Sequence, residues 1–427
     1  MSDKSIPVDS FENPVDPEVG YARGTILRSS LEEAARLRNG QKVAGGRVRE
    51  RGPGSIGVFT GNPRNFPVGV DDLDTLCEEW VGPGLYADDL RRVALGHFGA
   101  EPADAVTVLN RSSSAIIATI VALAGGRAVV SIAPPTGHSH VSVVRGCALA
   151  RVDRVEVQAD ADWRAAIDRA RPALVVVTTV TSSLERLDDA ITLQVADHAH
   201  GMGAKVFLDE AYGARLRPVL HGGRLSLQLG ADLSVTNSDK AGLSGPRGGI
   251  VVGRLGLVAA VSAKAGELGM EARAPIAAGV LRSLQGFKPE DLRAEAAAGQ
   301  KIAVALEARL GQDRVRRTDL GPMVHEDHVL ALVRERAGGK VDRTIVPCEA
   351  TAALGILLLR DHGILTINTH GQPGARVSLR LKPTGDAVDR VGGIQAIVAA
   401  IDAQLDTVAG YLEDEAALST LILGDEA

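Results

Sequence analysis

Few residues of this chain are placed to do covalent chemistry, and Lys240 stands first among them. It lies in "TNSDKAGLSGPRGGIVVG", Thr236 to Gly253, between a short apolar run and a loop of small residues. A primary amine in a partly desolvated, glycine-lined pocket has a lowered pKa and attacks carbonyl groups, as a Schiff-base lysine must. A solvated cation is the bland alternative for any single lysine, so its neighbours decide. Upstream, "KVFLDEAYGAR" sets Asp209 and Glu210 directly after an apolar run, followed by the small Ala211, then Tyr212 and Gly213. A carboxylate at a buried strand end needs a cationic or N–H partner. An ion pair with a nearby arginine is the purely structural reading.

Three other stretches carry polar groups in the same kind of position. In "VTVLNRSSSAIIATI" a strand runs into Ser112, Ser113 and Ser114 and then straight into a helical pattern. Free N–H groups at a helix start, beside hydroxyls, suit a phosphate; a simple serine cap needs only one of the three. "SIAPPTGHSHVSVV" offers His138 and His140, either able to lie flat on an aromatic ligand or to move protons near neutral pH. "VTTVTSS" ends its run in Thr178, Thr179, Thr181, Ser182 and Ser183. A phosphate cradle, a stacking imidazole, a strand-end aspartate and a lysine one strand later are together the contacts that pyridoxal 5'-phosphate requires. On that reading Asp209 keeps the pyridine nitrogen protonated and Ala211 packs on the ring face opposite a histidine.

The elements that must position these groups are legible as an alternation. The runs "AVTVLN", "RAVVSIA", "ALVVVTTV", "KVFLDEA", "DLSVTNS" and "GGIVVG" are short and rich in β-branched residues. Helical patterns such as "SSAIIATIVALAGG", "SHVSVVRGCALA" and "LDDAITLQVADHAHGMGA" lie between them. Strands without polar alternation are buried on both faces, so the fold class is α/β: a mostly parallel sheet sandwiched by helices. Ligands of such sheets gather at the carboxyl ends of the strands, where the polar residues above sit. The sequence divides into an N-terminal arm (1–55), a large domain (56–310) and a smaller α+β domain (311–427). In the arm, "SSLEEAARLRNG" reads as a helix capped by Ser30 and stopped by Gly40. "GFKPEDLRAEAAAGQKIAVALEARLGQ" reads as a long helix before the last domain.

Bulk properties exclude several functions. The 427 residues carry a net charge of -6, which leaves no footprint for nucleic acid. Cys77, Cys147 and Cys348 are scattered, with no metal-ligand spacing and no disulfide framework, which suits a reducing cytosol. The polar N-terminus lacks a signal-peptide core, no apolar run reaches membrane-spanning length, and no metal is expected. The expected setting is cytoplasmic.

The series "NRSSSAIIATI", "GHSHVSVVRGC", "VFLDEAYG" and "SDKAGLSGPRGG" resembles fold-type-I pyridoxal phosphate-dependent enzymes, closest to the branch of L-seryl-tRNA(Sec) selenium transferase and its short archaeal homologues. The likeness is good over residues 80 to 255 and loose beyond. It implies Lys240 as the Schiff-base lysine, Asp209 at the pyridine nitrogen, and Ser112, Ser113, Ser114 and Ser238 at the phosphate. It implies His140 on the ring and Thr181 or Ser183 at the 3'-oxygen. Enzymes of this kind often fix the substrate carboxylate with a small-domain arginine; in "GARVSLRLKP" the period of two puts Arg376 and Arg380 on one face, and Arg380 is preferred. Arg111 and Arg247 flank the cofactor motifs and suit an anionic leaving group such as phosphate; a local ion pair for Arg111 and an exposed loop position for Arg247 are the alternatives. The resemblance points to elimination or replacement at Cβ of a small anionic or O-activated amino acid. An aminotransferase, aldolase or racemase, or a non-catalytic scaffold on the same fold, are the rivals. At least a homodimer is expected, with "FTGNPRNFPVG" (Phe59 to Gly69) and "GPGLYADDL" (Gly82 to Leu90) as contact candidates.

Overall fold

A computed structural model describes residues 7–339, 345–371, 374 and 377–425. The chain forms two compact units, one of residues 62–293 and one that joins residues 1–61 to residues 294–427. The N-terminal segment, read as an arm, falls in one compact unit with the C-terminal region.

The 62–293 unit is built on a seven-stranded sheet. Its spatial order is Ala105–Leu109, Gly249–Gly253, Leu233–Asn237, Lys205–Asp209, Leu174–Thr178, Val129–Ala133 and Arg154–Gln158. Gly249–Gly253 runs antiparallel to both neighbours and the remaining pairs are parallel. The sheet is therefore mostly parallel, as the β-branched runs require. The Leu174–Thr178 and Leu233–Asn237 strands are buried throughout. Arg154–Gln158, "RVEVQ", is half-buried along its length because it forms an edge; its alternating charges hide it among the buried runs of the sequence. Helices cover both faces through separate clusters, one around Ile116, Phe207 and Val261 and another around Trp163, Ile167 and Val195.

The register sets the site. Asp209 pairs with Thr178 on one side and Val235 on the other, so the chemistry-bearing ends of three strands lie side by side. Lys240 sits in a hairpin loop, since Asn237 faces Gly249 across antiparallel strands. Just after it, Ala241 (φ 52°) and Gly242 (φ 80°) turn the chain through the left-handed region. For an alanine this conformation is strained, a cost commonly met at functional sites.

In the other unit the helix Ser30–Arg51 is capped by Ser29 and runs straight through Gly40, contrary to the expected stop there. Gly40 packs against Thr369 and His370, where a Cβ would have 3.0 to 3.3 Å of room. It is a close-contact glycine, and the helix ends at Gly52 instead (φ 82°). The Pro347–His362 helix is buried from Pro347 to Leu359 and forms this unit's centre. The long helix is observed as Pro289–Leu310. No helix among the described residues is long and apolar enough to cross a membrane.

Candidate active site

Two consecutive carboxylates at the end of the Lys205–Asp209 strand have opposite fates. Glu210 is fully buried and satisfied: Arg217 donates to it at 3.1 and 2.8 Å, Ser226 at 3.0 Å, and Thr179 also donates to it. The ion-pair reading made for this motif is thus met by Glu210. Asp209 is only 3% exposed and accepts one long bond, from the Ala211 N–H at 3.3 Å. Burial pushes its carboxyl up to about 6, against the Ala211 N–H and the charge of Lys240, with Glu210 adding to the rise. A buried carboxylate without a cation in contact is matched to a ligand bearing a positive N–H.

Lys240 is half-buried, with its Nζ 5.0 Å from the ring centroid of Tyr212, within cation–π range. Burial lowers its pKa, Asp239 and Asp209 work against that, and Arg64 and Arg247 add to the lowering. The amine is biased toward the neutral, nucleophilic form.

The helix Ser112–Leu123 follows the Ala105–Leu109 strand at the same edge. Arg111 holds its N-cap position without a side-chain cap bond. Ser114 donates to Asn110 Oδ1 at 2.6 Å. Gly249 lies against this helix start, where a Cβ would come within 2.5 Å of the Arg111 carbonyl oxygen and 2.8 Å of the Ser112 nitrogen. An uncapped helix N-terminus with serines in its first turn and glycine at its side is the donor set a phosphate needs. Ser238 is buried and its hydroxyl donates to the Pro246 carbonyl at 2.6 Å, so its proton is already committed. The residues present thus fit pyridoxal phosphate at three points: an unpaired buried carboxylate, a hindered amine, and open helix N–H groups.

The remaining expected residues are placed as follows. His138 is 61% exposed and pairs with Glu156 at 2.8 Å. His140 is half-buried and caps the helix Val141–Ala150, its Nδ1 accepting from the Ser142 N–H at 3.2 Å. Thr181 is buried, donates to Glu185 at 2.6 Å, and accepts from the Ser183 and Glu185 N–H groups. Arg380 is buried in the Leu379–Arg380 strand of the other unit, and Arg376 lies outside the described residues.

Arg111 and Arg247 are both half-buried, and neither has an ion-pair partner among the described residues. Burial lowers both pKa values, that of Arg247 to about 10, and each is lowered further by Arg64. Arg64 is a residue the sequence reading passed over; its Nε pairs with the buried Asp239 at 3.1 Å. Asp239 is the carboxylate that offsets this cluster. The available signals were the only cation of "FTGNPRNFPVG" and the carboxylate next to the lysine in "SDK". Three guanidiniums that share the field of Asp239, two of them also acting on Lys240, make a half-buried cationic cluster suited to an anion.

No family model matches the chain. A "UPF0425 pyridoxal phosphate-dependent protein" of Methanothermobacter thermautotrophicus is 32% identical over 404 residues, covering 93% of this chain and all of the relative. A protein of the same description from Methanosphaera stadtmanae is 29% identical over 82% of this chain and 88% of its own length. Among solved structures, the SepCysS–SepCysE N-terminal domain complex matches with a TM-score of 0.57 at 13% identity, covering 83% of this chain and 95% of that one. Alanine–glyoxylate aminotransferase from Nostoc sp. matches with a TM-score of 0.53 at 15% identity, over 82% and 94% of the two chains. At these identities the structural matches establish the fold alone.

Proposed function

This chain belongs to the UPF0425 family of pyridoxal phosphate-dependent proteins, and on that premise we propose that it is a lyase or transferase acting at Cβ of a small anionic or O-activated amino acid. The cofactor is pyridoxal 5'-phosphate. When bound, it supplies an aldehyde to an amine and a ring that draws electrons from a substrate's α-carbon.

Each residue then has a distinct task. Lys240 would hold the cofactor's aldehyde carbon through Nζ, and its amine, biased by burial toward the neutral form, would be the group that accepts a proton from the substrate. Asp209, buried and without a cation in contact, would hold the ring nitrogen and its proton. The Ser112–Ser114 turn would hold the phosphate through its hydroxyls and free N–H groups, while Ser238, whose hydroxyl donates to Pro246, would shape the lysine loop beside it. His140 and Ala211 would cover the two ring faces, and Thr181 or Ser183 would lie at the 3'-oxygen. Arg111 and Arg247 take up the charge of the group that leaves Cβ.

The observation that carries this reading is the pairing of Lys240 with the cationic pocket of Arg64, Arg111 and Arg247, where burial and mutual repulsion leave positive charge in want of an anion. The test is a spectroscopic and product screen of the loaded protein against O-phospho-L-serine, L-serine and L-alanine. Phosphate and keto-acid release from O-phospho-L-serine alone, lost in Lys240→Ala and reduced by about tenfold or more in Arg111→Ala or Arg247→Ala, is the expected result. Amino-group transfer, aldehyde release or racemisation without phosphate loss would favour the rival chemistries. A wild-type protein that takes up no cofactor would leave the non-catalytic scaffold.

The functional particle is proposed to be at least a homodimer. Trp80 is 93% and Val70 82% exposed, and Phe66, Leu73, Val81 and Leu85 are exposed with them. Such a concentration of apolar side chains at a surface marks an interaction face.

A further inference from the structure

Two arginines stand two residues apart on the Gly213–His221 helix and are equally buried, Arg215 at 2% exposure and Arg217 at 1%. Their partners differ sharply. Arg217 donates to Asp189 at 2.7 Å, to both oxygens of Glu210, and to the Arg224 carbonyl at 3.1 Å. Arg215 touches no carboxylate. Its Nη2 donates to the carbonyl oxygen and Oδ1 of Asn237, at 3.2 and 3.4 Å. Its Nε and Nη1 have no hydrogen-bond partner among the described residues. Asp239 and Glu210 attract it only from beyond contact. A buried cation with idle donors lowers stability, and an apolar side chain of similar length avoids that penalty. Positions that break this rule without a gain in packing are where function is expected.

What Arg215 holds is informative. Asn237 is the last residue of its strand, three before Lys240, and its Nδ2 donates to the Ala211 carbonyl at 2.8 Å. Ala211 follows Asp209 by two. The path Arg215–Asn237–Ala211 therefore ties the ends of the two strands that carry the aspartate and the lysine. A single guanidinium nitrogen, Nη2, thus reaches both the backbone carbonyl and the side-chain amide of Asn237, held there by a buried side chain one bond longer than a lysine's.

We propose that Arg215 is a positioning residue for the cofactor site: through Asn237 it sets the lysine loop and the Asp209–Ala211 turn in their working relation. This rests on the reading of Lys240 and Asp209 as the pyridoxal phosphate anchors. The test uses the full chain and pyridoxal phosphate itself. Affinity is read by absorbance titration, and capture at Lys240 by borohydride reduction and peptide mass. Thermal stability of the cofactor-free protein is recorded beside them.

Arg215→Met is expected to raise the melting temperature while weakening pyridoxal phosphate binding by about tenfold or more. Arg215→Lys keeps the charge and a donor nitrogen, but its stem is one bond too short to place that nitrogen between the two Asn237 oxygens, and it is expected to bind the cofactor as weakly as the Met variant. Asn237→Ala is expected to show the same loss, with little added in the double variant, because both act through one path. Cofactor affinity unchanged in the Met and Lys variants overturns the proposal. So does a melting temperature that falls in Arg215→Met together with affinity, while Arg215→Lys matches the wild type in both. A wild-type protein that does not capture the cofactor at Lys240 sinks the functional reading, and this one with it. Capture by the wild type with equal capture by the variants sinks this one alone.

Discussion

Asp209 and Lys240 are matched by what each lacks. The aspartate has no cation in contact and is raised to about 6 by burial; the lysine is lowered by burial and by two arginines. In the cofactor-free protein this has a consequence for stability. An unfolded aspartate titrates at 3.8, so between 3.8 and about 6 the folded chain holds a proton that the unfolded chain has released. That contribution is fully present below 3.8 and is lost as pH rises through about 6, a difference of roughly 3 kcal/mol from about two pK units. Asp209→Asn is therefore expected to raise the cofactor-free melting temperature at pH 8, to do little near pH 3.5, and to weaken pyridoxal phosphate binding. Calorimetry at the two pH values, with a cofactor titration, checks all three. His97 slopes the other way. Burial, with Arg215, lowers it from 6.5 to about 4. Its contribution is lost as pH falls from 6.5 toward 4, so the Asp209 term is best read as the difference between the variant and the wild type.

Strands and helices explain why those two residues meet. The parallel order brings the Thr178, Asp209 and Asn237 ends to one edge, and the antiparallel Gly249–Gly253 strand returns beside the Ser112 helix. Gly249 is the tightest point of this arrangement. A methyl there would sit 2.5 Å from the Arg111 carbonyl oxygen, so the helix start would have to move. Gly249→Ala is expected to cost about 1–3 kcal/mol of stability and to weaken phosphate-dependent binding more than binding of pyridoxal, which lacks the phosphate. Equal losses for both ligands would place the defect elsewhere. The six apolar runs and the cofactor motifs were readable because each depends on near neighbours: β-branching, small residues, and a polar group at the end of a run. "RVEVQ" escaped notice because an edge strand alternates like a half-exposed loop. Gly40 misled because the glycine that ends a helix and the glycine that lets one pass close to Thr369 look alike until the partner is known.

In the molecule as a whole, one buried side chain stands out among the contacts that hold the N-terminal segment within its unit. Glu349 accepts from the N–H groups of Ile26, Leu27 and Val346 at 2.7, 2.8 and 3.1 Å. Gly24 leaves room for that carboxylate, which stands 2.2 Å from where a Cβ would be. Glu349→Ala strands the N–H groups of Ile26 and Leu27 and is expected to cost about 3 kcal/mol, read as a lower denaturation midpoint. An unchanged midpoint would mean that this carboxylate's bonds to the segment contribute nothing to the unit's stability. The exposed Trp80 face carries a separate expectation: mass measurement of the loaded protein gives a dimer or larger, and Trp80→Glu shifts it toward monomer. An active, cofactor-loaded monomer in the wild type would refute the proposed assembly.

Local order along the chain was enough to name the α/β class and to read a vitamin-B6 cofactor, with Lys240 and Asp209 as its expected anchors. Each of those inferences uses runs of a few residues and the rule that strand ends carry ligands. Partner choice was beyond its reach. Nothing in "LDEAYGAR" says that Glu210 takes Arg217 while Asp209 stays open, or that Arg215 stays unpaired while Arg217 finds two carboxylates. Those outcomes depend on strand order and burial, which bring Asp189, Ser226 and Asn237 to the motif from distant positions. A charge inside a protein is defined by what surrounds it, and for these residues folding supplies the surroundings.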